Sequence, residues 1–187
     1  MGKYWNEEIE CMAHEDMKKL QSERLVKQVK HVWDNVPYYK KLMEEKGVTP
    51  DDIHGIEDLH KLPFLSKADL REAYPYGLLA KPLSECVRIH STSGTTGKRV
   101  VAFYTQHDID LWENCCARAI VAAGGSKDDV CHVAYGYGLF TGGAGLNGGG
   151  LSYSADVIRK HRKTDTVHAG SRFYYPVLYS VICRLYR

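Results

Sequence analysis

The run Ser91-Thr92-Ser93-Gly94-Thr95-Thr96-Gly97-Lys98 concentrates hydroxyls, two glycines and one lysine in a single short stretch. Those residue types suit the binding of an anion. Glycines let backbone approach a ligand more closely than a Cβ would allow. Loop N–H groups and hydroxyls can then face the anion, while Lys98 supplies a point charge. The ligand such a loop fits is a polyphosphate. The pattern is not the familiar P-loop, because only two residues separate Gly94 from Gly97 and Arg99 stands where Ser or Thr would hold magnesium. On the residues alone, a solvent-exposed hairpin turn is the competing reading. A second glycine-rich stretch, Tyr135 to Gly145, interleaves Tyr135, Tyr137 and Phe140 with glycines. Flat aromatic faces beside an approachable backbone would suit an aryl group. A surface loop or a buried glycine-packed turn would use the same residues. The stretch lacks the GxGxxG of a dinucleotide site.

The elements that must position these loops read as follows. Val87 and Ile89 precede the first loop and residues 100–104 follow it, which predicts strand, loop, strand. Residues 108–123 read as a helix with Ile109, Trp112, Ala119, Ile120 and Ala123 on its buried side, closed by Gly124-Gly125. Residues 129–134 read as a buried strand. This succession is the rhythm of an α/β layer. The front of the chain is helical instead. Met17, Leu20, Leu25, Val29 and Val32 recur at near-helical spacing over 7–33, and Pro37 interrupts the pattern. A second helix is expected over 38–46, with Gly47 as its C-cap. Thr49-Pro50 and Ser66-Lys67 are further helix starts.

Bulk properties narrow the classes. With 187 residues the chain can form one domain or somewhat more, and a net charge of +2 gives no reason to expect nucleic acid or an anionic membrane. The six cysteines show no CxxC spacing, so reduced thiols in a cytoplasmic protein are expected. The nine histidines form no ligand pair, and no metal site is proposed. The first ten residues are too polar for a secretory signal, and no apolar run is long enough to span a bilayer.

Several strings together resemble the N-terminal part of the phenylacetate–coenzyme A ligases, a branch of the adenylate-forming acyl-CoA synthetases. They are Tyr4-Trp5-Asn6, residues 20–25, Asn35-Val36-Pro37-Tyr38-Tyr39, residues 58–64, residues 69–78, Arg88-Ile89-His90 leading into the glycine loop, and residues 134–145. The departures are Thr92, where that branch has serine, and Arg99, where it has proline. Neither removes a donor. The resemblance implies an α/β fold: a helical N-terminal segment over 1–80, then an incomplete AMP-binding domain over 81–147. It implies ATP, Mg2+ and coenzyme A as co-substrates and an aryl carboxylic acid as substrate. The acid would be activated as an acyl-adenylate and passed to the thiol. Ser93, Gly94, Thr95, Thr96, Gly97 and Lys98 would hold the β- and γ-phosphates, and Tyr135 and Phe140 would line the aryl pocket. No catalytic residue is assigned. The family also implies a homodimer, with neither nucleic acid nor membrane as partner.

From about Gly148 the family strings stop, and a basic, tyrosine-rich tail follows to Arg187. Suitable codons for Val157 to Asp165, read one nucleotide later, can encode Ser-Ser-Gly-Asn-Thr-Glu-Lys-Gln. Those for Tyr179 to Arg184, shifted alike, can encode Thr-Pro-Ser-Tyr-Ala. Both strings belong to the family in that order, so residues 148–187 are expected to be out-of-frame and poorly ordered. The chain itself is then expected to be truncated and inactive as a ligase. A nucleotide- or partner-binding fragment without catalysis is the alternative, and a poorly folding gene product is the third.

Overall fold

The computed structural model of the chain describes residues 4–92, 99–125, 130–133, 144–145, 148–150, 156–159 and 183–186. Two compact units emerge: Cys11–Phe103, and Met1–Glu10 together with Tyr104–Arg187.

The first unit is built on helices. Helix α2 (His14–Asn35) is followed at once by α3 (Pro37–Glu45). Pro37 does not merely end α2: it takes the first position of α3, where its missing N–H costs nothing. The helix expected over 7–33 is divided, because α1 (Glu7–Glu10) is a separate single turn belonging to the other unit. Asn6 caps the start of that turn. Its side chain accepts from the Ile9 N–H at 3.1 Å, and its own N–H donates to Glu10 Oε1 at 2.8 Å. Apolar residues at helical spacing do not register such a break.

Val29 from α2 and Met43 from α3 meet Val48, Ile53 and Leu62 in one core, with Leu25, Trp33 and Tyr39 packed around it. Burying each such side chain is worth about 1.5–3 kcal/mol. Gly47 adopts φ +70°, a left-handed conformation that suits the expected C-cap. There the Val48 N–H returns to the Met43 carbonyl at 2.9 Å, which carries Val48 into the core. Lys46 Nζ donates to the Leu62 carbonyl at 2.8 Å and ties the end of α3 to the returning chain. Thr49 and Asp52 form a capping box on a single 3-10 turn, Pro50–Asp52. Ser66 and Asp69 form another on α4 (Lys67–Glu72). A 3-10 helix, Ile56–Lys61, leads into Leu62, Pro63 and Phe64.

Strands β1 (Cys86–Ser91) and β2 (Val101–Thr105) pair in a two-stranded sheet. Helix α5 (Gln106–Ala122) follows directly. Its start is fixed by Thr105, whose side chain accepts from the Asp108 N–H at 3.3 Å while its own N–H donates to Asp108 Oδ2 at 2.8 Å. The buried face of α5 carries Ile109, Ala117 and Ile120. Ala119 points outward, contrary to expectation, because it lies about 100° per residue away from its buried neighbour Ile120. Trp112 is half-buried and packs on Tyr104 with ring centroids 5.4 Å apart. Beyond α5, β3 (Val130–Val133) lies between β4 (Asp156–Arg159), which runs parallel to it, and β5 (Cys183–Tyr186), which runs antiparallel.

Candidate functional site

The glycine loop sits on a stem made by β1 and β2. Thr92 N–H donates to the Val100 carbonyl at 3.0 Å, and Val100 N–H donates to Thr92 Oγ1 at 3.1 Å. One threonine thus fixes both ends of the loop through its backbone and its side chain. Thr92 Oγ1 spends acceptor capacity on the stem but keeps its O–H to donate, so a serine-to-threonine difference here preserves a donor. Ser91 Oγ is buried and has no hydrogen-bond partner. Arg99 is exposed where the chain enters β2, and adds a second positive charge directly after Lys98. A parallel pair would need a crossover of a dozen or more residues, so the short connection 92–100 is a hairpin. At 93–98 lie Ser93, Gly94, Thr95, Thr96, Gly97 and Lys98, outside the described residues.

The strand feeding the loop carries a feature that hydropathy alone did not signal. Along β1, Val87 and Ile89 are exposed, whereas Arg88 is half-buried and His90 is 3% exposed. The Nη1 atom of Arg88 is buried without a hydrogen-bond partner. Period-2 alternation is legible in the sequence, but which of the two faces is covered depends on neighbouring elements.

The aromatic members of the second stretch, Tyr135, Tyr137 and Phe140, also lie outside the described residues. Its far end is placed. Gly145 is buried, and a Cβ added there would stand 2.6 Å from Cε2 of the Trp112 indole. A Cβ at Gly149 would collide with the Cys116 Cβ and stand 3.1 Å from the Ala117 backbone nitrogen. Gly145 lets the end of this stretch lie flush against α5, and Gly149, beyond it, does the same for residues 148–150. The same helix begins at Thr105, the last residue of β2.

Among the described residues no group of three or more His, Cys, Asp or Glu is arranged to hold a metal ion, and no helix is long and apolar enough to cross a membrane.

No protein-family model matches the chain. Among curated proteins, it is 50% identical over 150 residues to the phenylacetate-coenzyme A ligase of Pseudomonas putida, and 49% identical over 150 residues to that of Escherichia coli strain K12. It is 47% identical over 152 residues to the one from Aromatoleum evansii. The chain is similar to part of the phenylacetate–coenzyme A ligases. The matches cover 80–81% of this chain but 34% of each relative, so the chain spans about a third of the length of the curated relatives it matches. Solved structures agree with the fold. A 2-hydroxyisobutyryl-CoA ligase, in complex with 2-HIB-AMP and CoA in the thioesterification state, superposes with TM-score 0.78 at 29% identity, covering 84% of this chain and 34% of that one. An open conformation of the same ligase gives TM-score 0.79 at 26% identity, covering 87% and 39%. Those neighbours are adenylate-forming CoA ligases, and the α/β architecture is that of their N-terminal region.

Proposed function

We propose that this chain carries the phosphate-gripping segment of a phenylacetate–CoA ligase, the enzyme that joins phenylacetate to coenzyme A with conversion of ATP to AMP and diphosphate. The observation that carries the reading is the hairpin stem closed by Thr92 and Val100, around a sequence of hydroxyls, glycines and Lys98, in a chain about half identical to such ligases. Ser93, Gly94, Thr95, Thr96, Gly97 and Lys98 hold the β- and γ-phosphates, with loop N–H groups and the lysine offsetting their charge. Tyr135 and Phe140 face the aryl group of the acid. Mg2+ accompanies the nucleotide and neutralises phosphate charge when bound. The described residues offer no donor cluster for it, so no step is routed through the ion. The acid is already ionised near neutral pH, so no general base is required of this chain. A cytoplasmic location and a homodimeric ligase complete the reading.

We read the 187-residue chain by itself as inactive in the ligase reaction, since its match spans 34% of each relative. Its tail, residues 148–187, we read as out-of-frame translation, and sequencing the locus decides that point: an intact downstream frame needing no shift removes it. The functional test is twofold. Purified chain should release no AMP with phenylacetate, ATP, Mg2+ and coenzyme A, yet its melting temperature should rise with Mg2+ and ATP, since a ligand that binds the native state stabilises it. Phenylacetate-dependent AMP formation would overturn the first half, and an unchanged melting temperature the second.

A further inference from the structure

The hairpin stem is closed by a side chain rather than by backbone alone. Strand β1 ends at Ser91 and β2 begins at Val101, so Thr92 and Val100 form the step just beyond the regular ladder. A hydrogen-bonded antiparallel pair exchanges both of its N–H groups for backbone carbonyls. Thr92 and Val100 make only half of that exchange. The Thr92 N–H donates to the Val100 carbonyl at 3.0 Å, but the returning Val100 N–H donates at 3.1 Å to Thr92 Oγ1. The hydroxyl thus stands in for the carbonyl of its own residue. Threonine side chains compete with backbone acceptors in this way and so bring regular structure to an end. Here the substitution releases the chain from the ladder at residue 92, immediately before the glycine loop. The bond is exposed, and water competes for both partners, so it adds little net stability. Its effect is on where the loop departs.

We propose that Thr92 is a positioning residue for phosphate binding: its hydroxyl, by taking the Val100 N–H, fixes the point at which the loop leaves β1. It acts through Val100 and not by touching the anion. The inference rests on the reading of residues 93–98 as a phosphate cradle. A cradle of N–H groups and hydroxyls works only when its donors are held in place before the anion arrives, so a loop released one residue later presents them differently.

Calorimetric titration of the full chain with inorganic pyrophosphate and Mg2+ tests this on three variants. Thr92→Val keeps the shape and the β-branching but removes the acceptor, and should lower affinity by about three- to tenfold. Thr92→Ser restores the acceptor and should bind like the wild type. Val100→Pro leaves the hydroxyl in place and removes the N–H. It should reproduce the loss seen in Thr92→Val, and the double variant should be no worse than either single one, because both remove the same bond. Hydrogen exchange at the Val100 amide reads that bond directly and serves if proline unfolds the stem: the amide should be protected in the wild type and Thr92→Ser and should exchange faster in Thr92→Val. Wild-type affinity in Thr92→Val, or a loss that serine does not repair, overturns the proposal. So does wild-type affinity in Val100→Pro, which would make Thr92 a direct phosphate contact, or an unchanged Val100 amide in Thr92→Val. A wild type that binds no pyrophosphate overturns the phosphate reading itself and this inference with it, whereas binding that survives in Thr92→Val overturns this inference alone.

Discussion

Replacing Gly149 by alanine tests whether residues 148–150 pack on α5 as described. Gly149 is buried in a helical turn, and an alanine Cβ would meet the Cys116 Cβ and the Ala117 backbone nitrogen. Both are fixed parts of α5, whose Ala117 is 0% exposed. Overpacking of this kind costs about 1–3 kcal/mol. Alanine in a helix regains roughly 0.5–1 kcal/mol relative to glycine. The net expectation is a loss on the order of 1–2 kcal/mol. For a chain of this size each kcal/mol is worth about 2–4 °C of melting temperature, so the fall should be roughly 2–8 °C. Gly148 supplies the control. The three atoms nearest a Cβ there all belong to the Glu113 side chain, which can yield where backbone cannot, so Gly148→Ala should cost less than Gly149→Ala. Thermal unfolding followed by circular dichroism, with both variants side by side, gives the answer. Equal effects of the two substitutions, or a stabilised Gly149→Ala, would refute the close packing.

Two further predictions concern pH. A hydrogen bond from Lys61, 2.7 Å from Asp58 Oδ1, together with the His54 N–H, holds the Asp58 carboxyl down at about 2 against an ordinary 3.8. A depressed folded-state value means stability that is present above the unfolded value and lost as pH falls through the folded one. Acid titration of the melting temperature should therefore show a decline between about pH 4 and 2 that is shallower in Asp58→Asn. Desolvation, with the hydrogen bond to Asp69 next, pushes the Tyr38 phenol up to about 12 from 10.0. A raised value works in the opposite direction: its contribution is present below pH 10 and disappears toward pH 12. Tyr38→Phe should flatten that alkaline limb, and an unchanged limb would mean the Tyr38–Asp69 bond contributes nothing.

The sequence was most legible where structure is decided by neighbours along the chain. Gly47, Thr49 and Ser66 are helix signals whose chemistry acts over three or four residues, and each ends or starts an element as expected. The break between α1 and α2 was not legible, because no glycine, proline or capping side chain marks Cys11 to Ala13, where it falls. The burial of His90 in place of Ile89 was hidden for a related reason. Alternation fixes that the two residues face opposite ways, but only packing partners distant in sequence choose the covered side. Gly145 and Gly149 illustrate the remaining ambiguity. Glycine permits both a ligand-facing loop and a flush contact with a helix, and Trp112 and Cys116, far back in the chain, decide for the contact.

The phosphate loop itself is tested most directly by calorimetric titration of the full chain with inorganic pyrophosphate and with ATP, each in the presence of Mg2+, beside the variant Lys98→Ala. Pyrophosphate carries the charge that the loop is read to grip and none of the adenine or ribose. The wild type should bind both, weakly, and the loss of one charge-assisted contact worth about 1.5–3 kcal/mol should weaken each at least tenfold in the variant. Binding of ATP without pyrophosphate, or affinities that Lys98→Ala leaves unchanged, would contradict the assignment of Ser93 to Lys98 as a phosphate cradle.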